Sequence, residues 1–224
     1  MPAVTGAKKD IAHSLYQAIM KLLSDRDNGQ LWMPGEERFG RISSRCYSLA
    51  SRSRTMKKFH EFVMGDLLSL DVSTVLDIGC GPGTVLLSLA QNRKGLHGSG
   101  IDPSIHMVRI ASGKARRLGL LQRVRFAQGS NRYIPLEDRF DVIYTSLSFH
   151  HWKDNAESIT GIMQRLKERG RFIVYEITDD GSLARKFLKA HLMSKENFEA
   201  ISARAGIKTE VREEEGFIRA IFTR

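Results

Sequence analysis

Residues 74–84 read TVLDIGCGPGT, and this stretch decides the fold. Thr74 to Ile78 is a short apolar run of the kind found in a parallel strand buried on both faces. Gly79, Gly81 and Gly83 follow in the spacing G-x-G-x-G. Glycine lets the chain turn tightly out of a strand and lets a ligand approach the backbone closely. A helix from Thr84 to Gln91 is expected next, its first N–H groups free to meet a carboxylate or phosphate. The dinucleotide fingerprint G-x-G-x-x-G would need glycine at 84, where Thr84 stands, and the chain has no G-x-x-x-x-G-K-[ST] run.

Outward from this turn, strand and helix alternate. HGSGI predicts a second strand ending at Asp102, and Ser104 opens a helix carrying Ile105, Val108, Ala111, Ala115 and Leu118 on one side. RVRFAQ and FDVIYTSL read as the third and fourth strands. Ala156, Ile159, Met163 and Leu166 mark a helix stopped by Gly170, and RFIVYEI is the fifth strand. This order from 74 to 177 implies a parallel sheet flanked by helices. Ser182 to Leu192 reads as a helix, and another begins near Ser194 and ends at Gly206. IKTEVRE and GFIRAIFTR are too close for a crossover, so they pair as an antiparallel hairpin through a Glu-Gly turn. Upstream, Ile11, Leu15, Ile19 and Leu22 share one helical face, residues 25–45 read as loop, and Met56, Phe59, Val63, Leu67 and Leu70 form a second helical stripe.

The chain has 224 residues, 42% hydrophobic and 27% charged, enough for one large domain with a sizeable core. No segment approaches the roughly 20 apolar residues of a membrane span, and the start lacks a secretory layout, so a cytoplasmic protein is expected. Cys46 and Cys80 fit neither a metal spacing nor a disulfide framework, and no metal is expected. The net charge is +10. Residues 36–58 hold seven basic side chains against Glu36 and Glu37, and residues 114–125 hold five and no acid. Such clusters are either a solvated face or a surface for a polyanion such as RNA.

Asp102, at the end of the second strand, is placed to accept hydrogen bonds from two ribose hydroxyls, and Asp-Pro-Ser also suits a helix N-cap. LDIGCGPGT followed by GIDPS resembles the first motif and its sequel in class I S-adenosylmethionine-dependent methyltransferases. RFAQGSNRYIPLEDRFDVIYTSLSFHHW resembles that family's third and fourth strands, LKERGRFIVYE its fifth-strand entry, and MSKENFEAISARAG its C-terminal end. The resemblance covers about residues 70–224. It implies an α/β, Rossmann-like fold: a seven-stranded, mostly parallel sheet with helices on both faces and an antiparallel last strand. Residues 1–70 would form an N-terminal helical cap on the methyltransferase domain of residues 71–224.

The resemblance also implies a cofactor, S-adenosylmethionine, and its product, S-adenosylhomocysteine. Asp77 and the loop of Gly79, Cys80 and Gly81 would hold the methionine part, with Cys80 also reading as a small packing residue. Asp102 would hold the ribose, and Pro103 and Ser104 would border the adenine. Ser130 and Asn131 stand where the family often has Asp-Ala, so the usual acid at the adenine amino group is missing here. Thr145 and Ser146 would face the sulfonium.

Methyl transfer is an in-line displacement that needs alignment above all. A base is needed only for an acceptor that arrives protonated. His150 and His151, just past the fourth strand, are the candidate pair, since histidine titrates near neutrality; the alternative is that one packs under the loop and the other lies on the surface. Trp152 reads as wall or core, and Tyr16 and Tyr47 as half-buried cap residues. Thr145 to Phe149 lacks the Asn- or Asp-Pro-Pro-aromatic run of nucleobase amino methylases. The cysteine of RNA cytosine methylases and the Lys-Asp-Lys-Glu set of ribose methylases are also missing. The layout most resembles small-molecule methyltransferases, nearest in pattern to the quinone-biosynthesis type. The expected partner is a small methyl acceptor, with nucleic acid as the alternative.

Overall fold

The structure is a computed structural model describing residues 54–153, 155–178 and 192–224. The expected helices at 10–23 and 182–192, the loop at 25–45, Tyr16, Tyr47 and Cys46 lie outside the described residues. Of the expected cap, α1 (Arg54–Ser69) is described, and it buries Phe59, Val63, Met64 and Leu67.

The seven strands are β1 (Thr74–Ile78), β2 (His97–Asp102), β3 (Val124–Gln128), β4 (Phe140–Ser146), β5 (Leu166–Ile177), β6 (Lys208–Glu214) and β7 (Phe217–Thr223). They form one sheet in the order β3-β2-β1-β4-β5-β7-β6. The first five are parallel, and β7 runs antiparallel between β5 and β6. The β6–β7 turn has positive φ at both Glu215 (48°) and Gly216 (78°), the conformation that matches hairpin twist.

Side-chain alternation sorts the core. Val75, Val142, Tyr144, Ile173 and Tyr175 face one layer, shared by α1 and α2 (Thr84–Asn92), with Ala115 of α3 (Ile105–Arg117) joining it. Leu76, Ile78, Ile143, Phe172 and Val174 face the other, shared by α4 (Asn155–Met163) and α5 (Lys195–Ala205). The chain winds outward from β1 through β2 to β3, then returns to place β4 on the other side of β1. The carboxyl ends of β1 and β4 therefore flank a topological switch point, the usual ligand crevice of such sheets.

Two details correct the sequence reading. Helix α4 ends at Met163, and Leu166 begins β5 rather than lying on the helical stripe. Leu166 is buried opposite Phe140, whose N–H bonds to the Arg165 carbonyl. The ladder resumes only at Val142 and Arg171, so residues 167–170 bulge. Gly170 serves that bulge instead of stopping a helix, since a Cβ there would stand 2.9 Å from the Phe140 carbonyl oxygen. In α3, Leu118 is exposed and Met107 is buried in its place.

Asp141 clamps the foot of the sheet. One carboxylate oxygen accepts from the N–H and hydroxyl groups of Ser73 and Thr74, and the other meets Lys167 at 2.9 Å. Burial works the other way, but the bonds to Lys167, Thr74 and Ser73 hold its carboxyl well below the ordinary carboxylate range. A depressed carboxylate pKa adds stability above the unfolded value, lost as pH falls through the folded one. Asp141→Ala is expected to lower the melting temperature by roughly 3–10 °C at pH 7. The gap to wild type should shrink in acid; an equal gap at pH 7 and below pH 3 would remove this assignment.

Candidate functional site

The glycine turn is built by backbone conformation. Gly79, Gly81 and Gly83 have φ of 73°, 51° and 73°, where other residues are strained. Gly79 and Cys80 both donate their N–H to the Ile101 carbonyl, at 2.8 and 3.0 Å, tying the turn to β2. Gly79 has a second requirement. A Cβ there would stand 2.7 Å from the Ser148 Cβ and closer still to its hydroxyl, whereas one on Gly81 would meet nothing within 4 Å.

Two buried carboxylates sit at this turn. Asp102 Oδ2 accepts from the Gly81 N–H (2.9 Å) and Oδ1 from the Ser104 N–H (2.8 Å). Asp102 thus braces the glycine turn and the start of α3, while Ser104 is the N-cap residue. Its oxygens keep further lone pairs for a ligand. Burial pushes its pKa up to about 6, against the pull of those two bonds. Asp77 is 1% exposed, and its Oδ1 has no hydrogen-bond partner among the described residues. Burial pushes it up to about 8 against the pull of the Tyr144 hydroxyl, and the Asp102 charge adds to the rise. Thr145 Oγ1 is also buried without a partner among the described residues.

The other expected positions have contacts of their own. The Cys80 thiol is buried, and burial with the Asp102 and Asp77 charges pushes its pKa well up, so it stays a neutral packing group. Pro103 is held by Gln128, which donates to its carbonyl at 2.9 Å. Ser130 Oγ accepts from the N–H groups of Arg132 and Tyr133, so its acceptor capacity goes to a turn. Asn131 donates to Ser158 of α4 at 2.7 Å. Thr145 and Ser146 leave opposite faces of β4, and Thr145 Oγ1 lies 4.0 Å from where a Gly79 Cβ would be.

The chain leaves β4 through Leu147 at φ 52°, a strained conformation for a leucine, and this carries Ser148 over Gly79. A short 3₁₀ turn, Phe149–His151, follows. It is fastened by Glu176 of β5, fully buried, which sequence reasoning missed. Glu176 Oε1 accepts from the N–H groups of Phe149 (2.7 Å) and His150 (3.3 Å), and Oε2 lies 2.8 Å from His150 Nδ1. The His151 ring is 3.9 Å from that of His150. Trp152 is a core residue, stacked on Phe172. The one signal in the sequence was an acid inside the apolar run RFIVYEI.

Part of the basic surface is structural. Arg123 donates to the carbonyls of Ala90, Arg93 and Leu96, and Arg125 bridges Ser99 and Asp138. Lys57 and Lys58 face Glu61 and Glu215. Among the described residues, no helix is long and apolar enough to cross a membrane, and no cluster could hold a metal ion.

Residues 70–216 match the family described as a methyltransferase domain. The uncharacterized methyltransferase YcgJ of Bacillus subtilis is 32% identical over 124 residues, 51% of this chain and 48% of that protein. The demethylmenaquinone methyltransferase of Thermotoga maritima is 27% identical over 143 residues, 62% of this chain and 59% of that one. The chain spans about half the length of such curated relatives. A SAM-dependent methyltransferase structure from Aquifex aeolicus shares the fold with a TM-score of 0.63 at 20% identity, over 83% of this chain and 98% of that one.

Proposed function

The chain belongs to the methyltransferase-domain family, and on that premise we propose that it moves a methyl group from S-adenosylmethionine to a small organic acceptor, leaving S-adenosylhomocysteine. The observation that carries this reading is Asp77 Oδ1, buried without a hydrogen-bond partner among the described residues, beside Asp102 at the glycine turn. An unpaired buried acceptor costs about 1–3 kcal/mol, and a ligand that brings a cationic amino group and vicinal hydroxyls would offset that cost at both carboxylates.

In this reading Asp77 takes the amino group, the backbone of Gly79, Cys80 and Gly81 borders the methionine part, and Asp102 takes the ribose. Pro103, Ser104, Ser130 and Asn131 border the base, and Thr145 and Ser146 lie nearest the reacting centre. Bound S-adenosylmethionine supplies a methyl group on a positively charged sulfur. The protein aligns the acceptor, excludes water, and removes a proton through the His150–His151 pair where the acceptor carries one. The Thermotoga relative's name supports a small organic acceptor. The same reading keeps the enzyme cytoplasmic.

Calorimetric titration tests this directly. Saturable binding of S-adenosylmethionine and S-adenosylhomocysteine is expected, weakened about tenfold or more in Asp102→Ala. The ligand stabilises the charged forms of Asp77 and Asp102, so binding between pH 6 and 8 should release protons and tighten as pH rises. Absence of binding at millimolar ligand would overturn the proposal.

A further inference from the structure

Two tyrosines, Tyr144 and Tyr175, are fully buried in the layer that β4 and β5 share with α1. Burying a hydroxyl is costly unless something takes its proton. The Tyr175 hydroxyl donates to Asp66 Oδ2 of α1 at 2.5 Å, and Asp66 also pairs with Arg219, so that proton is committed. Tyr144 is placed differently. It stands opposite Asp77 in the parallel register of β4 and β1. Asp77 leaves β1 on the same side as Val75, the face of the sheet that Tyr144 also shares. Among the described residues the Tyr144 hydroxyl has no other acceptor, and it pulls against the burial that raises the Asp77 carboxyl.

We propose that Tyr144 is a positioning residue for the methyl donor, whose hydroxyl donates to the Asp77 carboxylate and keeps it charged for the donor's cationic amino group; this rests on the methyl-transfer reading above. A donated hydrogen bond favours the charged form of a carboxyl, because the carboxylate offers only lone pairs. The other groups around the pair hold their charge between pH 7 and 9. Asp102 of β2 is pushed up only to about 6, so it is already ionised there. Burial pushes the Cys80 thiol and the Tyr144 hydroxyl well above their ordinary values, so both keep their protons. On α1, Asp66 is tied to Tyr175 and Arg219, and burial lowers His60, which is neutral in this range. The side chains that α2 buries are all apolar. Of these groups, Asp77 alone changes charge in that window, at about 8.

Calorimetric titration of full-length Tyr144→Phe with S-adenosylhomocysteine tests this, since phenylalanine keeps the ring and removes only the donor. Losing the hydrogen bond should move the Asp77 titration up by about one pH unit. Binding uses the charged form, so the variant should bind about tenfold more weakly than wild type at pH 7 and only about twofold more weakly at pH 9. The ligand's own titration cancels in that ratio, because the same ligand meets both proteins. Proton release on binding at pH 8 should be larger in Tyr144→Phe than in wild type. In an Asp77→Asn background nothing is left to ionise, and Tyr144→Phe should then change affinity by less than about twofold at either pH. Equal affinities at pH 7, or a gap of the same size at pH 7 and 9, would overturn the role of Tyr144; the second result is what loss of packing alone would give. Absence of S-adenosylhomocysteine binding in wild type would instead overturn the methyl-transfer reading, and this role with it.

Discussion

Replacing Asp77 with asparagine is expected to stabilise the ligand-free protein while weakening its hold on the methyl donor. The two effects have one cause. Asp77 is buried with one oxygen that has no hydrogen-bond partner among the described residues, and burial with the Asp102 charge raises its pKa from an ordinary 3.8 to about 8, against the pull of the Tyr144 hydroxyl. A carboxyl raised in this way prefers its proton in the folded state. The unfolded chain releases that proton from about pH 4 upward, so the folded state loses stability as pH rises toward 8. Asparagine has nearly the same shape and no charge to bury, so the variant should escape this loss. Its melting temperature near pH 8 should exceed that of wild type by several degrees. Binding moves in the opposite direction, because a hydrogen bond to a charged group contributes about 1.5–3 kcal/mol. S-adenosylhomocysteine affinity should fall roughly 10- to 100-fold, and proton release on binding should diminish. Thermal melts from pH 5 to 8, paired with calorimetry in two buffers of different ionisation enthalpy, measure both. A variant that binds as tightly as wild type would remove Asp77 from the cofactor site.

Gly79→Ala is the second substitution with a large expected effect. Its φ of 73° alone costs a non-glycine residue about 1–2 kcal/mol. The new methyl group would also overlap the Ser148 side chain, held over the turn because Leu147 leaves β4 at φ 52°. Either the glycine turn or the loop carrying His150 must move. Destabilisation of about 2–4 kcal/mol is expected, a fall of roughly 5–15 °C, together with loss of measurable cofactor binding. Gly81→Ala is the control for stability, since it bears the backbone cost with no neighbour within 4 Å. Ser148→Gly in the Gly79→Ala background should restore part of the melting temperature by clearing the collision. Equal losses at Gly79 and Gly81, with no rescue, would show that backbone strain alone accounts for the motif.

Much of this architecture is legible along the chain because it depends on properties of neighbouring residues. Thr74–Ile78 is an apolar run that suits a doubly covered strand, and its expected bounds are those observed. Ser194 and Gly206 bracket α5 through a capping box and a left-handed terminus, both local devices. Glu215 and Gly216 close the last hairpin within four residues. The three glycines of the turn announce positive φ, and all three have it. Where local pattern misled, a distant partner was responsible. Leu166 continued the helical stripe of α4, but Phe140 takes it into the sheet.

The candidate site divides along the same line. Composition and spacing by themselves determined a glycine turn between strand and helix, an acid at the next strand's end, and two histidines after β4. Only the tertiary structure decided what those groups touch. Asp102 reaches back 21 residues to brace Gly81, His150 meets Glu176 across 26 residues, and Ser148 lies over Gly79. Those pairings depend on which strands become neighbours in the order β3-β2-β1-β4-β5-β7-β6. That order is set by burying both faces of the sheet at once, a property of the whole chain that no local window of sequence contains.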